Sequence, residues 1–275
     1  MDARTVVVTG ANTGIGLATA KALAGQSWRV WVTARSERKG AAAVADIKAA
    51  TGNDAVFLLM LDLADLSSVR SCAESFLARG EPLHVLVNNA GVAGRRGLTR
   101  QEFELMFGVN HLGHFLLTQL LLERLVSSAP ARVVTVSSDA HYSAPGIDWA
   151  AVRQPARGIT GMREYAVSKL CNVLFSQELA RRTEVHSYAL HPGVVASDMW
   201  RRVPWPVRPF VTRRMLSVTD GAATSLYCAT SPEVAADTGL FYDSCARRDP
   251  SPVATPELGR ELWRRSEEWT ATCLA

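Results

Sequence analysis

Tyr165 and Lys169 stand four residues apart in a stretch, 164–182, whose pattern predicts a helix. That spacing puts both side chains on one helix face. A free tyrosine has a pKa of about 10, and bringing it near neutrality takes about 4 kcal/mol. One cation at about 4 Å supplies that order of energy at an effective dielectric of about 20. Tyr165 beside Lys169 therefore has the means to give a proton to a carbonyl oxygen or take one from an alcohol. The same spacing also describes an ordinary exposed pair. Ser137-Ser138 closes a predicted strand. A hydroxyl there faces the crevice beyond the carboxyl ends of a parallel sheet, where it can orient a substrate oxygen, or it is a plain strand terminus. Asn110 begins another helical stretch and by residue type alone is a cap.

A second group of residues suits a phosphate. Gly10-Ala11-Asn12-Thr13-Gly14-Ile15-Gly16 follows the first predicted strand and opens the first predicted helix. Gly10 can take backbone angles closed to other residues. Gly14 lets the backbone approach a pyrophosphate, and Gly16 lets helix and strand pack closely. The N–H groups of Asn12, Thr13 and Ile15 and the positive helix end complete an anion cradle. A glycine-rich turn without a ligand is the plainer reading.

The second strand ends Thr33-Ala34-Arg35, with Arg38 and Lys39 following and no acid at the strand end for a ribose 2′-hydroxyl. Arg35, with Lys39 nearby, can pair with a 2′-phosphate, which favours NADP(H) over NAD(H). A solvated basic helix start fits the same residues. Asp62, with the Leu63 backbone beside it, can hold an adenine amino group or cap the next helix. Asn89-Ala90-Gly91 ends the fourth strand and suits a chain passing close to a ribose, or a plain turn.

These residues need a frame. Strands are expected at 5–9, 29–34, 55–61, 83–88, 132–137 and 185–190. Helices are expected at 17–24, 38–50, 66–79, 100–107, 112–126 and 164–182. Short β-branched runs alternating with amphipathic stretches predict βαβ units and a doubly wound parallel sheet with helices on both faces, a Rossmann-type α/β fold. The stretch 142–163 is polar and punctuated by Gly and Pro, and is expected to be loop. Residues 1–275 are expected to form one domain with an insertion near 194–216. That insertion carries three prolines, two tryptophans and five arginines. It suits a substrate lid, with Met199 and Trp200 facing the ligand, or a membrane-surface patch, or a subunit contact.

Composition excludes several classes. The net charge of +4 is dispersed, with no polybasic run for nucleic acid. The five cysteines are scattered and never spaced C-x-x-C, so reduced thiols and a cytoplasmic location are expected. Cys171 suits a small buried hydrophobe. No charged leader followed by an apolar stretch opens the chain, and the most apolar run, near 115–126, contains Glu123 and Arg124; no transmembrane segment is expected. His111 and His114 lack a third ligand nearby, so no metal is expected and both should pack under the site.

Together, TGANTGIG, NNAG, Asn110, Ser137-Ser138, Tyr165-x-x-x-Lys169 and His191-Pro192-Gly193 resemble, in order and spacing, the short-chain dehydrogenase/reductases. VNHLGHFLLT, YAVSKLCNVLF, the long serine-to-tyrosine separation and the tail with Pro250-Ser251-Pro252 and Glu261-Leu262-Trp263 are similar to the retinol-dehydrogenase-like branch. The resemblance implies a sheet of about seven parallel strands, the last near 240–242. It implies Tyr165 as general acid/base, with Lys169 lowering its pKa and bonding the nicotinamide ribose. Ser138 would orient the carbonyl, and Asn110 would hold a water in a proton relay to Lys169. Gly10, Gly14, Gly16, Asp62, Asn89, Pro192 and Gly193 would contact the cofactor. Many retinol dehydrogenases of this branch carry a membrane anchor, whereas this sequence starts at its first strand, so a membrane-retinoid role is not expected. Homodimers or homotetramers are usual in the family.

The expected activity is hydride transfer between NADP(H) and the carbonyl/alcohol pair of an apolar substrate such as a retinal-like aldehyde or a steroid, terpenoid or polyketide ketone. Two other functions compete. A nucleotide sensor without turnover needs only the cradle. An epimerase or dehydratase needs a longer region after Gly193.

Overall fold

The computed structural model describes residues 4–158, 160–194 and 216–274. Its strands are β1 (Thr5–Val8), β2 (Arg29–Ala34), β3 (Val56–Met60), β4 (Val85–Asn88), β5 (Arg132–Val136), β6 (His186–His191), β7 (Leu240–Asp243) and β8 (Ala246–Arg248). They form one eight-stranded sheet in the order β3-β2-β1-β4-β5-β6-β7-β8. Every pair is parallel except β7–β8. The chain winds outward from β1 to β3, then returns to lay β4 on the free side of β1. The crevice outside the carboxyl ends of β1 and β4 is thus the point where the winding reverses, the usual ligand position in open sheets.

The inner strands are apolar on both faces because helices cover both. One layer holds α1 (Gly14–Gly25) and α2 (Glu37–Thr51), with α7 (Val218–Thr230) beyond. Leu23, Ile47 and Cys228 from these helices are buried against Val6, Val8, Val30 and Val32. The other layer holds α3 (Leu66–Leu77), α5 (Gly113–Ser127) and α6 (Met162–Arg182), which bury Phe76, Phe115 and Phe175 against Val7, Leu86 and Val133.

A last helix, α8 (Pro256–Leu274), lies over α5 and α6. From its motifs this segment is expected only as a tail, although its amphipathic pattern gives a helix with a buried stripe. Trp263 on that stripe is 4% exposed. It stacks on Phe175 at 6.0 Å and meets Phe115 edge-on at 5.0 Å.

Other departures have local causes. The helix expected at 100–107 starts only at Leu105. Glu102 holds φ 59°, and the Glu104 carboxylate accepts the Phe107 N–H at 2.8 Å as an N-cap. From there α4 (Leu105–Phe107) runs through a π-helical turn, Gly108–Leu112, into α5, giving an unbroken helix Leu105–Ser127 of 23 residues. It is long and apolar enough to cross a membrane, but 78% of its most apolar window is buried in the protein core. The eighth strand arises from a tight hairpin whose two turn residues, Ser244 and Cys245, hold φ 51° and 60°. Positive φ at both positions is the twist that such a hairpin needs, here without the usual Asn-Gly signal. Among its described residues the 142–163 stretch is loop apart from the end of one 3-10 turn, Asp139–Ser143, a second turn, Ala151–Arg153, and the first two residues of α6.

Trp263→Ala removes a stacked ring from this core and is expected to cost about 3–5 kcal/mol. A urea unfolding curve should show this as a lower midpoint at unchanged slope.

Candidate active site

Thr9 directly follows β1 and is fully buried. Its hydroxyl accepts the N–H groups of Asn89 and Ala90, each at 2.9 Å. It also meets His114 Nε2 at 2.9 Å. His114 Nδ1 lies 3.0 Å from the Asn110 carbonyl, which can only accept, so Nδ1 carries the hydrogen. Burial lowers the His114 pKa to about 4, so the ring is neutral and Nε2 accepts from Thr9. A single chain of bonds thus runs from β1 to Asn110. His111 points the other way and meets Ser266 Oγ on α8 at 3.0 Å. His114 thus lies under the site, whereas His111 packs toward α8 among Phe107, Phe115 and Phe175. Among the described residues no group of three or more His, Cys, Asp or Glu is placed to hold a metal.

Asn110 is not a helix cap: it sits in the π-turn inside the long helix. Its Nδ2 donates to Val92 O and to Ser168 Oγ, both at 2.9 Å, and its Oδ1 accepts the Val92 N–H at 2.8 Å. The amide therefore ties the loop after β4 to α6. A Cβ on Gly91 would lie 3.4 Å from Asn110 Oδ1 and 3.5 Å from Lys169 Nζ, so these groups converge beside Gly91.

Tyr165 and Lys169 lie on the buried side of α6, 9% and 3% exposed. Of the serine pair, Ser137 turns inward and bonds the Lys169 carbonyl at 2.7 Å, while the Ser138 hydroxyl accepts the Ala140 N–H at 3.2 Å and lies near enough to the Tyr165 phenol to favour its ionised form. Burial pushes the Tyr165 phenol up, and Ser138 offsets only part of that. Lys169 Nζ lies 5.6 Å from the Tyr165 ring centroid and donates to Val136 O at 2.9 Å. Burial lowers its pKa to about 8. The sequence reading expects a lysine that depresses the tyrosine. In the protein alone, burial dominates both groups.

A groove of about 460 Å3 crosses the ends of β1 to β4 and reaches Gly91, beside Asn110 and Lys169. It is lined by Gly10, Asn12, Thr13, Gly14, Ile15, Gly16, Arg35, Lys39, Asp62, Leu63, Asn89, Ala90 and Gly91. Gly14 holds φ 59°, and a Cβ there would meet nothing within 4 Å, so this turn faces open space. A Cβ on Gly16 would collide with the Asn89 amide and come within 2.7 Å of Gly10 O. Thr13 makes no side-chain cap at the start of α1, which leaves the helix N–H groups for a ligand. Open cradle, free donors and glycine approach all fit a dinucleotide pyrophosphate.

Asp62 is the groove's one carboxylate among the described residues, while Arg35, Lys39 and Arg95 line it with positive charge. Asp65, not Asp62, caps α3 through the Ser67 N–H. Pro192 and Gly193 follow β6 and do not line this groove. Met199 and Trp200 lie outside the described residues. The insertion's flanks do meet, for Leu216 N donates to Val194 O at 2.9 Å.

Several site residues carry little mark in the sequence. Thr33 accepts the Gly10 N–H at 3.2 Å, and Arg95 lines the groove from the loop after β4. Thr9 had one visible signal, a hydroxyl closing a run of valines. A second cavity of about 610 Å3 lies beside the first turn of α6, between Glu104, Ile147 and Glu164, and contains neither Tyr165 nor Ser138.

Known proteins share this architecture. The family model described as short chain dehydrogenase matches residues 4–205. Human retinol dehydrogenase 12 is 44% identical, over 98% of this chain and 86% of its own length. Human retinol dehydrogenase 11 is 42% identical, over 96% and 84%. The crystal structure of an uncharacterized protein from Mycobacterium paratuberculosis superposes with a TM-score of 0.77 at 34% identity, covering 98% of this chain and 93% of that one. Actinorhodin polyketide ketoreductase, solved with NADPH, superposes at 0.68 over 88% and 95%; at 24% identity it shows a shared fold. The chain belongs to the short-chain dehydrogenase/reductase family of alcohol/carbonyl oxidoreductases, and within it is similar to the retinol dehydrogenases.

Proposed function

We propose that this enzyme moves hydride between NADP(H) and the carbonyl/alcohol pair of an apolar substrate, with Tyr165 as general acid/base. The observation that carries the reading is the buried Tyr165 phenol with Ser138 beside it and buried Lys169 on the same helix face. When bound, the nicotinamide supplies or accepts the hydride. Every other task falls to the chain. In reduction, the Tyr165 hydroxyl gives its proton to the substrate oxygen while Ser138 donates a hydrogen bond to that oxygen; oxidation reverses both. With its pKa near 8, Lys169 is mostly charged at neutral pH and stabilises the phenolate. Asn110 holds the loop after β4 against α6, and its oxygen keeps a second lone pair for a water leading to Lys169.

The preference for NADP(H) rests on Arg35 and Lys39, which line the groove while no acid ends β2. An apolar aldehyde or ketone as substrate rests on the similarity to proteins named retinol dehydrogenases. Retinal-like aldehydes and steroid, terpenoid or polyketide ketones form the panel to test.

Tyr165→Phe should lower turnover by about 100-fold or more, the range for losing a general acid. NADPH binding by titration calorimetry should stay within about threefold, since the phenol serves the proton rather than the cradle. Full activity in that variant would overturn the mechanism, and tight NADPH binding without turnover in the wild type would favour a sensor. Arg35→Ala should weaken NADPH by about 2 kcal/mol, a charged hydrogen bond, and leave NADH nearly unchanged. Equal losses would show that Arg35 does not contact the 2′-phosphate.

Lys169 also predicts a stability signature. Its amine has a pKa of about 8 folded against an ordinary 10.5, so between those values the unfolded chain binds more protons. Stability therefore rises with pH across that window. Lys169→Met should raise the urea midpoint at pH 7, because Asn172 Nδ2 still donates to Val136 O at 3.1 Å. The gain should shrink toward pH 10.5; a gap independent of pH would contradict it.

A further inference from the structure

The peptide group after the substrate-facing serine is held at both ends by buried imidazoles. Its carbonyl, on Ser138, accepts His141 Nδ1 at 2.7 Å and the His141 backbone N–H at 3.1 Å. Its N–H, on Asp139, donates to His191 Nδ1 at 3.2 Å. The tautomers follow from the partners. A carbonyl only accepts, so His141 carries its hydrogen on Nδ1, and Nε2 is free to accept the Ser251 N–H at 3.1 Å. His191 is the reverse: Nδ1 accepts, and Nε2–H faces the Asp139 carboxylate at 3.4 Å. His141 is fully buried, with Tyr142 and Phe241 at ring distances of 4.0 and 4.7 Å. Burial lowers the pKa of both rings, and the charges around them are Asp139, Asp243, Arg248 and Lys169.

Two opposed neutral imidazoles on one peptide fix its plane, and with it ψ of Ser138, while Ser138 Oγ is anchored by accepting the Ala140 N–H at 3.2 Å. The proton-bearing pair thereby depends on the segment before α8. Ser251 stands between Pro250 and Pro252, neither of which has an N–H, so only Ser251 can set the His141 tautomer from there. We propose that His141, in its Nδ1–H form set by the Ser251 backbone, is the positioning residue that aims Ser138 at Tyr165. The inference rests on Ser138 being the residue that orients the substrate oxygen.

The test uses the full chain and three readouts: side-chain 15N correlation of the histidines, 13C titration of the Tyr165 phenol, and NADPH-dependent reduction of decanal. His141 should show the Nδ1–H tautomer and His191 the Nε2–H tautomer. His141→Ala should raise the Tyr165 pKa by letting Ser138 drift from the phenol, and lower kcat about tenfold or more, the scale of a small misplacement. NADPH affinity should stay within about twofold, because His141 does not line the groove. His141→Asn, whose amide N–H replaces Nδ1–H, should restore both values; it also decides the matter where the alanine variant does not fold. An Nε2–H tautomer at His141 overturns the proposal. So does an unmoved Tyr165 titration in His141→Ala when Ser138→Ala shifts it. Full activity in Ser138→Ala would instead defeat the reading of Ser138, while the tautomers and the Tyr165 titration, which need no substrate, still decide the role of His141.

Discussion

A threonine hydroxyl has one hydrogen and two lone pairs, and at Thr9 all three are used inside the protein. That constraint fixes the crevice. The two lone pairs hold the first two peptides beyond β4 at the end of β1, so the sheet opens at the point where its winding reverses. The hydrogen has two acceptors in reach, His114 Nε2 at 2.9 Å and the Val87 carbonyl at 3.3 Å, and goes to the nearer, whose opposite nitrogen holds the π-turn that carries Asn110. A buried hydroxyl with an unfilled bond would cost on the order of 1–3 kcal/mol, so the three partners hold one another in register. Asn110 then passes the constraint to α6 through Ser168, one residue before Lys169. Cradle and proton centre, built from segments more than a hundred residues apart in sequence, are thus joined through a few neutral hydrogen bonds.

Electrostatics in the centre runs against stability. Burial disfavours the charged forms of both Tyr165 and Lys169, and the protein holds them close together in spite of it. A core designed only to fold would place apolar side chains there. The π-turn fits the same pattern, since such turns interrupt regular helical bonding and recur where function needs an unusual backbone. Rigid packing on the far side of α6, where α8 seals Phe115 and Phe175, supplies the support that such a centre needs.

Much of this was legible in the residues. β-branched runs such as Val6-Val7-Val8 marked parallel strands because helices must cover both faces. The glycine turn and Tyr165-x-x-x-Lys169 were visible because their chemistry depends on spacing along one element. What stayed hidden depends on distant partners. Nothing near Glu104 in sequence shows that its carboxylate will start a helix later than periodicity suggests. Asn110 looked like a cap because a π-turn leaves no mark in the hydrophobic pattern. His141 and His191, fifty residues apart, meet only because β5 and β6 are neighbours. The hairpin at Ser244-Cys245 lacked glycine, so the last strand gave no signal.

That last strand has a use beyond completing the sheet. An open sheet ends in unpaired backbone groups that invite another chain to add on. Here the edge beyond β7 is three residues long and carries Arg247 and Arg248. Arg247 is paired inward to Asp237, and Arg248 to Asp243 and Asp139. A short edge bearing two bulky, inward-paired side chains offers few rungs to a foreign strand. Because Arg248 also grips the residue next to Ser138, protection against edge-to-edge aggregation and the alignment of the proton centre share one side chain.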